Sequence, residues 1–331
     1  MNTWLVIILA LALVWGAVAA LRRWSRRNQL MANARTEDAV KHLFHEDERS
    51  GAATLHSLSG AMSVTPDRAA EIASDLVNDG LAVQEEGRIR LTTLGRDRAL
   101  SVIRRHRLYE RFLADETGVV PTAWHDRAER EEHRLTASEA EHLARRLGDP
   151  LFDPHGDPIP SAAGSLPSPR GGPLHASTPG ATVMVVHIED EPTSVFQELQ
   201  ALGLQPGIRL RIVEKSERQV VVERRGLTLT LSTVAAANVT VVPSSPEARA
   251  VSTLERTPVG RTVTVAAIDD ACFGVQRRRL LDLGFVPGTS VTPELPSPGG
   301  DPVAYRVRGA LVALRKAQAA LILVESSKVP S

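Results

Sequence analysis

Six residues able to ligate a metal ion recur at helical spacing between His106 and His133. His125, Glu129, Glu132 and His133 stand at i, i+4, i+7 and i+8, which at about 100° per residue gathers them within roughly 100° of arc on one helix face. Upstream, in RRHRLYERFL, His106 and Glu110 form a further i, i+4 pair, so two neighbouring helices offer imidazole and carboxylate to a shared space. Neutral imidazole with carboxylate oxygen suits Mn(II), Fe(II), Co(II) or Zn(II), and the lack of thiolate argues against a closed structural zinc site. The run HDRAEREEH also reads as the solvated face of an amphipathic helix, and spacing alone leaves both readings open.

The elements that must position these side chains are legible on both sides. Thr36 to about His45 reads as a first helix with Ala39, Val40, Leu43 and Phe44 on its apolar face, and Leu55 to Ala61 as a second. Thr65 or Ser63 caps a third from Pro66 to about Asn78, Pro being favoured at a first helical position, and Gly80 stops it. Leu81–Glu85 and Arg88–Leu91 make a hairpin around Glu86-Gly87, a wing. Thr92 to Ala114 is the long helix carrying His106 and Glu110; the ligand helix runs from about Trp124 to Leu135 and another from Ala137 to Leu147. The order is that of a winged helix-turn-helix followed by a helical domain.

That pattern, with RRHRLYERFL, HDRAEREEHRLT and DPHGDPIP following in order, resembles the DtxR/MntR family of metal-dependent repressors over roughly Thr36 to Pro160. The resemblance implies a primary metal site at Asp38, His106, Glu129, Glu132 and His133, and an ancillary one at Glu110 and His125. Glu129 stands where iron sensors of the family tend to carry Cys and manganese sensors Glu, so the all oxygen-and-nitrogen set favours Mn(II), with Fe(II) also fitting. One departure is Lys41, standing where manganese sensors place a Glu for a second ion: an ammonium there repels a cation or stands in for it. The family's mechanism implies an ion that clamps the DNA-binding unit to the dimerisation helices of a homodimer.

Beyond a Pro/Gly/Ser-rich stretch at Ser161 to Pro179, which reads as a flexible linker, the chain repeats. Leu202-Gly-Leu-Gln-Pro-Gly207 recurs as Leu283-Gly-Phe-Val-Pro-Gly288, 81 residues later, and Gly226–Leu231 matches Gly309–Leu314. Each unit of about 65–75 residues looks like a FeoA-type, SH3-like barrel whose L-G-[LF]-x-P-G turn joins a helix to a strand. The turns carry no group able to do chemistry.

The 331 residues allow two or three domains, and a formal charge of zero makes local charge the informative quantity. One cysteine, Cys272, excludes a disulfide within the chain. Residues Thr3 to Leu21 are apolar apart from Thr3 and Gly16 and are followed by Arg22, Arg23, Arg26 and Arg27. About 19 residues at 1.5 Å span roughly 28 Å, so this segment reads as a retained single-pass anchor with its soluble domains on the cytoplasmic side of the inner membrane.

The expectation is thus an α+β multidomain chain: anchor 1–24, juxtamembrane linker 25–35, winged helix 36–95, metal-binding and dimerisation domain 96–160, linker 161–179, FeoA-like domain 180–243, linker 244–257 and FeoA-like domain 258–325. Base-reading candidates on the third helix are Thr65, Asp67, Arg68 and Glu71, with Arg88 and Arg90 of the wing for phosphate. From Thr36 to Pro160 there are 16 Lys/Arg against 24 Asp/Glu, a balance of 16 − 24 = −8 that works against a phosphate-binding surface. Two readings follow: a membrane-tethered Mn(II)- or Fe(II)-dependent regulator that binds operator DNA, and a metal-sensing accessory subunit of a FeoB-like ferrous-iron permease that does not. No H-E-x-x-H helix, positioned nucleophile or Gly-rich phosphate loop is present, so an enzyme is not expected. His155 in DPHGDPIP reads as shaping the exit of the helical domain, and His42, His45, His56, His142, His175 and His187 have no matching partners in the sequence.

Overall fold

A computed structural model of the chain describes residues 15–16, 31–49, 52–168, 171–224, 226–244, 251–269, 272 and 274–325. Two compact units emerge: Met1–His106 with Ala128–Arg146 and Pro160–Leu166, and Arg107–Arg127 with Leu147–Ile159 and Pro167–Ser331.

In the first unit, α1 (residues 31–49) presents Ala39, Val40, Leu43 and Phe44 to the core. β1 (Ala53–Thr54) leads into α2 (Leu55–Ala61), where Thr54 and Ser57 form a reciprocal capping box. α3 (Pro66–Asn78) starts as its sequence dictates: Pro66 takes the first position and the Thr65 hydroxyl accepts the Arg68 N–H. β2 (Ala82–Glu85) and β3 (Arg88–Leu91) form the wing, and β1 adds to β3, giving the order β1-β3-β2. α4 (Thr93–Glu116), which passes into the second unit at Arg107, packs Leu100 and Ile103 onto Leu58, Ile72, Leu76 and Ile89, and the chain returns to the first unit at Ala128. α5 (Trp124–Glu132) ends three residues earlier than its periodicity suggests, because Thr136 is engaged in a capping box with Glu139 that opens α6 (Ala137–Arg146). His133 consequently sits in the turn after α5.

The second unit contains two six-stranded antiparallel sheets of matching topology. The first comprises β4 (Gly172–Pro173), β5 (Thr182–Ile188), β6 (Arg209–Lys215), β7 (Gln219–Arg224), β8 (Leu227–Ser232) and β9 (Val239–Pro243), in the order β4-β9-β5-β6-β7-β8, with α7 (Thr193–Ala201) and α8 (Thr233–Ala237). The second comprises β10 (Val251–Thr253), β11 (Val263–Ile268), β12 (Ser290–Pro296), β13 (Val303–Val307), β14 (Ala310–Leu314) and β15 (Ile322–Glu325), in the order β10-β15-β11-β12-β13-β14, with α9 (Gly274–Asp282) and α10 (Lys316–Ala319). Each L-G-[LF]-x-P-G turn ends a helix on a glycine with positive φ, Gly203 at 69° and Gly284 at 94°, where a Cβ would be strained.

Both sheets begin before the boundaries drawn from composition. Residues expected to be linker pair with the final strand, Gly172 opposite Val241 and Val251 opposite Glu325, and Leu174 and Leu254 are fully buried in the two cores. A single Leu in a Pro/Gly/Ser-rich context supplies no periodicity, yet it fills a core position.

The membrane expectation is corrected. Among the described residues no helix is long and apolar enough to cross a membrane. The longest, α4, carries Arg96, Arg98, Arg104, Arg105, Arg107, Glu110 and Arg111 through its length, each too costly to bury in hydrocarbon. The expected span, residues 3–21, lies outside the described residues except Trp15 and Gly16. The N-terminal transmembrane helix in the fold class, the membrane as partner and the inner-membrane localisation all rested on that span and are withdrawn. Truncating Leu254 to Ala should cost about 2–5 kcal/mol by leaving a cavity in the second sheet's core; denaturant unfolding checks this, and a loss below about 0.5 kcal/mol would mean that Leu254 is not a core residue.

Candidate metal centre

Glu132, at the last position of α5, is 1% exposed at its side chain and is met by cationic or imidazole groups on every side. From α4, His106 Nδ1 lies 2.5 Å from Oε2. From α1, Lys41 Nζ donates to both oxygens, at 3.1 Å and 3.0 Å, and lies 3.3 Å from His106 Nδ1. Oε1 faces His133 Nε2 at 3.6 Å, and that nitrogen reaches Asp38 Oδ1 at 2.9 Å. Ligand atoms of Asp38, Glu132 and His133 all lie within 4.8 Å of one another, the spread expected of donors that share one ion at about 2.1 Å.

Behind this set stands Glu37, buried and engaged by His133 Nδ1 at 2.8 Å, Arg98 at 2.6 Å and Arg105 at 2.8 Å. Burial opposes its ionisation, but these partners hold it below the usual carboxylate range; Glu132 is likewise held low against burial by His106 and Lys41. Glu37 thus orients the His133 ring from its far nitrogen, leaving Nε2 toward Asp38 and Glu132. Burial alone would lower the His133 pKa, yet hydrogen bonds from Asp38 and Glu37 and the charges of Asp38 and Glu132 raise it to about 9.

A second convergence lies within the other unit. His125 Nδ1 is 3.0 Å from Asp190 Oδ2 and 3.7 Å from Glu110 Oε1. His155 Nδ1 is 3.7 Å from the same Asp190 oxygen and 3.9 Å from Glu110 Oε2. His155 is 3% exposed, its ring set against Trp124 and Phe196, and its Nε2 is buried without a hydrogen-bond partner. The DPHGD turn places it. Asp153 Oδ1 accepts the backbone N–H groups of His155, Gly156 and Asp157 at 2.8–2.9 Å, while Gly156, at φ 97°, lets the turn approach β5 so closely that a Cβ would fall 2.0 Å from the Val186 carbonyl oxygen. Arg107 pairs with Asp157 at 3.1 Å, which in turn meets His187 at 3.4 Å. Against burial, Arg107 and His187 hold the Asp157 carboxyl well below its ordinary range. Two imidazoles and two carboxylates have the chemistry of a transition-metal donor set.

Of the expected primary ligands, Asp38, His106, Glu132 and His133 come together. Glu129 is exposed and is not part of the close ligand groups among the described residues. Glu110 and His125 meet, in company with Asp190 and His155, which spacing did not nominate. Asp190 follows β5, 65 residues after His125, and no local signal connects the two. Glu37 and Lys41 had a signal, since they stand at i, i+4 beside Asp38 on α1. His187, without an evident partner in the sequence, has Asp157 in the fold.

The DNA-directed candidates are exposed or partly so. Thr65 is occupied as the α3 cap and Arg68 is in an ion pair with Glu71, with Asp67 beside it. Arg88 and Arg90 project from β3 on either side of buried Ile89. Arg88, Arg90 and Arg68 are the cationic groups among these candidates.

The chain thus joins a winged helix to a helical domain with imidazole–carboxylate clusters and to two duplicated sheets. Comparison with known proteins agrees. The family described as iron dependent repressor, metal binding and dimerisation domain matches residues 92–161, and the FeoA domain matches 172–243 and 252–326. The iron-dependent repressor IdeR of Mycobacterium tuberculosis is 30% identical over 156 residues, 43% of this chain and 67% of that protein. The diphtheria toxin repressor of Corynebacterium diphtheriae is 26% identical over 192 residues, 54% and 85% of the two chains. Among solved structures, a manganese-dependent transcriptional repressor in complex with manganese superposes with a TM-score of 0.59 at 32% identity, over 63% of this chain and 100% of that one. The chain belongs to the iron-dependent repressor (DtxR/MntR) family, carrying two FeoA domains. Its relatives are transcriptional repressors, and the protein is accordingly a non-enzymatic one. Its clustered His, Glu and Asp side chains are consistent with a divalent metal cofactor.

The proton on His133 sets a pH dependence in chelator. Its folded pKa of about 9 lies above the ordinary 6.5, so its contribution to stability is fully present below about pH 6.5 and is lost as pH rises through about 9. Thermal melts in chelator should show wild-type stability declining across that window while His133→Gln gives a flatter profile; parallel profiles would refute the assignment.

Proposed function

We propose that the protein is a divalent-metal-dependent, DNA-binding transcriptional regulator, without the membrane tether first expected. One observation carries this reading: α1, α4 and the turn after α5 bring Asp38, His106 and His133 around the buried Glu132 carboxylate at the end of α5. In this reading Asp38, Glu132 and His133 hold Mn(II) or Fe(II), and His106 supports Glu132. Glu110, His125, His155 and Asp190 hold a second ion, with Asp153 fixing the turn that presents His155. Glu129, on the exposed side of α5, remains a ligand only if α5 rotates or its side chain swings inward.

The ion supplies positive charge and fixed coordination; no bond in a substrate is made or broken. The rest is done by the chain. Asp38 and Glu37 on α1 face His133, and Glu132 faces Lys41 and His106, so neutralising these carboxylates favours one placement of α1 against α4 and the α5 turn. α1 packs directly on the core that also seats α3, the helix which enters the major groove in this topology. The wing arginines Arg88 and Arg90 would meet phosphate, with Thr65, Asp67, Arg68 and Glu71 along the α3 edge. The match of residues 92–161 to a dimerisation domain supports a homodimer and a two-fold operator. With the membrane span withdrawn, the permease-subunit reading keeps no observation of its own beyond the FeoA domains.

Two measurements test this. A gel shift on DNA upstream of the protein's own gene should appear with Mn(II) and weaken in chelator; an unchanged pattern at modest salt would refute metal-dependent DNA binding. Mn(II) at about 100 times Kd should stabilise wild type by about 2.7 kcal/mol per centre. Glu132→Ala should lose the contribution of the first centre and Asp190→Ala that of the second; full Mn(II) stabilisation in both variants would remove both sites from the account.

A further inference from the structure

Glu132 has two faces. Oε1 points to His133 Nε2 at 3.6 Å, and that nitrogen to Asp38 Oδ1 at 2.9 Å. Oε2 points to His106 Nδ1 at 2.5 Å, and Lys41 Nζ, on the His106 side, donates to both oxygens, at 3.1 Å to Oε1 and 3.0 Å to Oε2. The donors on both faces are of the same kind, carboxylate oxygen and imidazole nitrogen, but one face already holds a cation. The Lys41 ammonium lies within hydrogen-bond distance of both Glu132 oxygens and 3.3 Å from His106 Nδ1, and its side chain is only 16% exposed. It arrives from α1, the same helix that supplies Asp38.

We propose that Lys41 is a tethered cation that permanently fills one of two cation positions around Glu132, so that this cluster accepts a single divalent ion, on the face formed by Asp38, Glu132 Oε1 and His133. This rests on the metal-centre reading above and adds how many ions the centre takes and why. An ion on the His106 face has to displace the ammonium from a buried carboxylate, and an ion on the Asp38 face binds against a fixed positive charge a few ångströms away. The second consequence is mechanical. Lys41–Glu132 and Glu132–His106 link α1 to α4 and the end of α5 through the chain's own groups, so part of the connection that a metal would supply is built into the chain.

The test uses the full-length protein and Mn(II) alone as probe, with stoichiometry read by equilibrium dialysis and Mn–Mn coupling by electron paramagnetic resonance. Lys41→Glu should take up one more Mn(II) per chain than wild type and show a spin-coupled pair that wild type lacks. Equal uptake by the two proteins without a coupled signal, zero uptake included, overturns the proposal. Uptake of no Mn(II) by wild type overturns the metal-centre reading, while the difference between the two proteins still judges Lys41. Because a carboxylate beside Glu132 can compromise folding, Lys41→Met supplies the second arm. Removing the resident charge should tighten Mn(II) binding at the Asp38 face by about tenfold, roughly 1.4 kcal/mol, and lower the melting temperature in chelator. Weaker Mn(II) binding by Lys41→Met would make Lys41 a support of the site rather than an occupant, and would overturn the proposal.

Discussion

A carboxylate sealed from water on α5 is the constraint around which the first unit is organised. Burying the Glu132 charge is costly unless positive charge and hydrogen bonds surround it, and the chain supplies these from three separate elements: Lys41 on α1, His106 on α4 and, one residue on, His133 in the turn. Glu37 repeats the arrangement a step further out, paired with Arg98, Arg105 and the other nitrogen of His133. Neither carboxylate can be satisfied until α1, α4 and the α5 turn are correctly placed, so the polar network specifies an arrangement that apolar packing of Ala39, Val40, Leu43 and Phe44 would leave less sharply defined.

The second unit solves a comparable problem with a turn. Asp153 gathers three backbone N–H groups, Gly156 allows contact with the Val186 backbone, and His155 is thereby fixed between Trp124 and Phe196 with Asp190 in reach. A residue of the first FeoA domain thus faces residues of α4 and α5. One aspartate makes that approach, rather than the repeated Leu-Gly and Pro-Gly turns.

Much of the winged helix was legible because its signals are local. Thr65-Pro66 announces the start of α3, and Glu86-Gly87 sets the hairpin. The duplicated L-G-[LF]-x-P-G turn marked the two sheets, and the resemblance to metal-dependent repressors brought Asp38, His106, Glu132 and His133 together on paper. Helical spacing was less reliable for Glu129 and His133: α5 stops at Glu132, so the two are not stacked on one continuous face, and Glu129 is left exposed. Asp190 and His155 were out of reach of any spacing argument, since their approach to His125 depends on tertiary contact. Composition misled at the termini of domains, where Leu174 and Leu254 were lost in Pro- and Ser-rich surroundings, and in the apolar N-terminal run, for which no described helix provides a membrane crossing.

Those two leucines bear on how the protein can be taken apart. Each plugs a sheet from a segment lying ahead of its second strand in sequence, with a short strand zipped to the last one, so the two ends of every FeoA domain are fastened together. A fragment cut at residue 180 or 258 would discard its own stopper and one edge of its sheet, whereas cuts ahead of Gly171 or Val251 would keep both. Dissection of this chain into independently folding pieces therefore follows the buried leucines rather than the visible edge of the Pro-rich stretch.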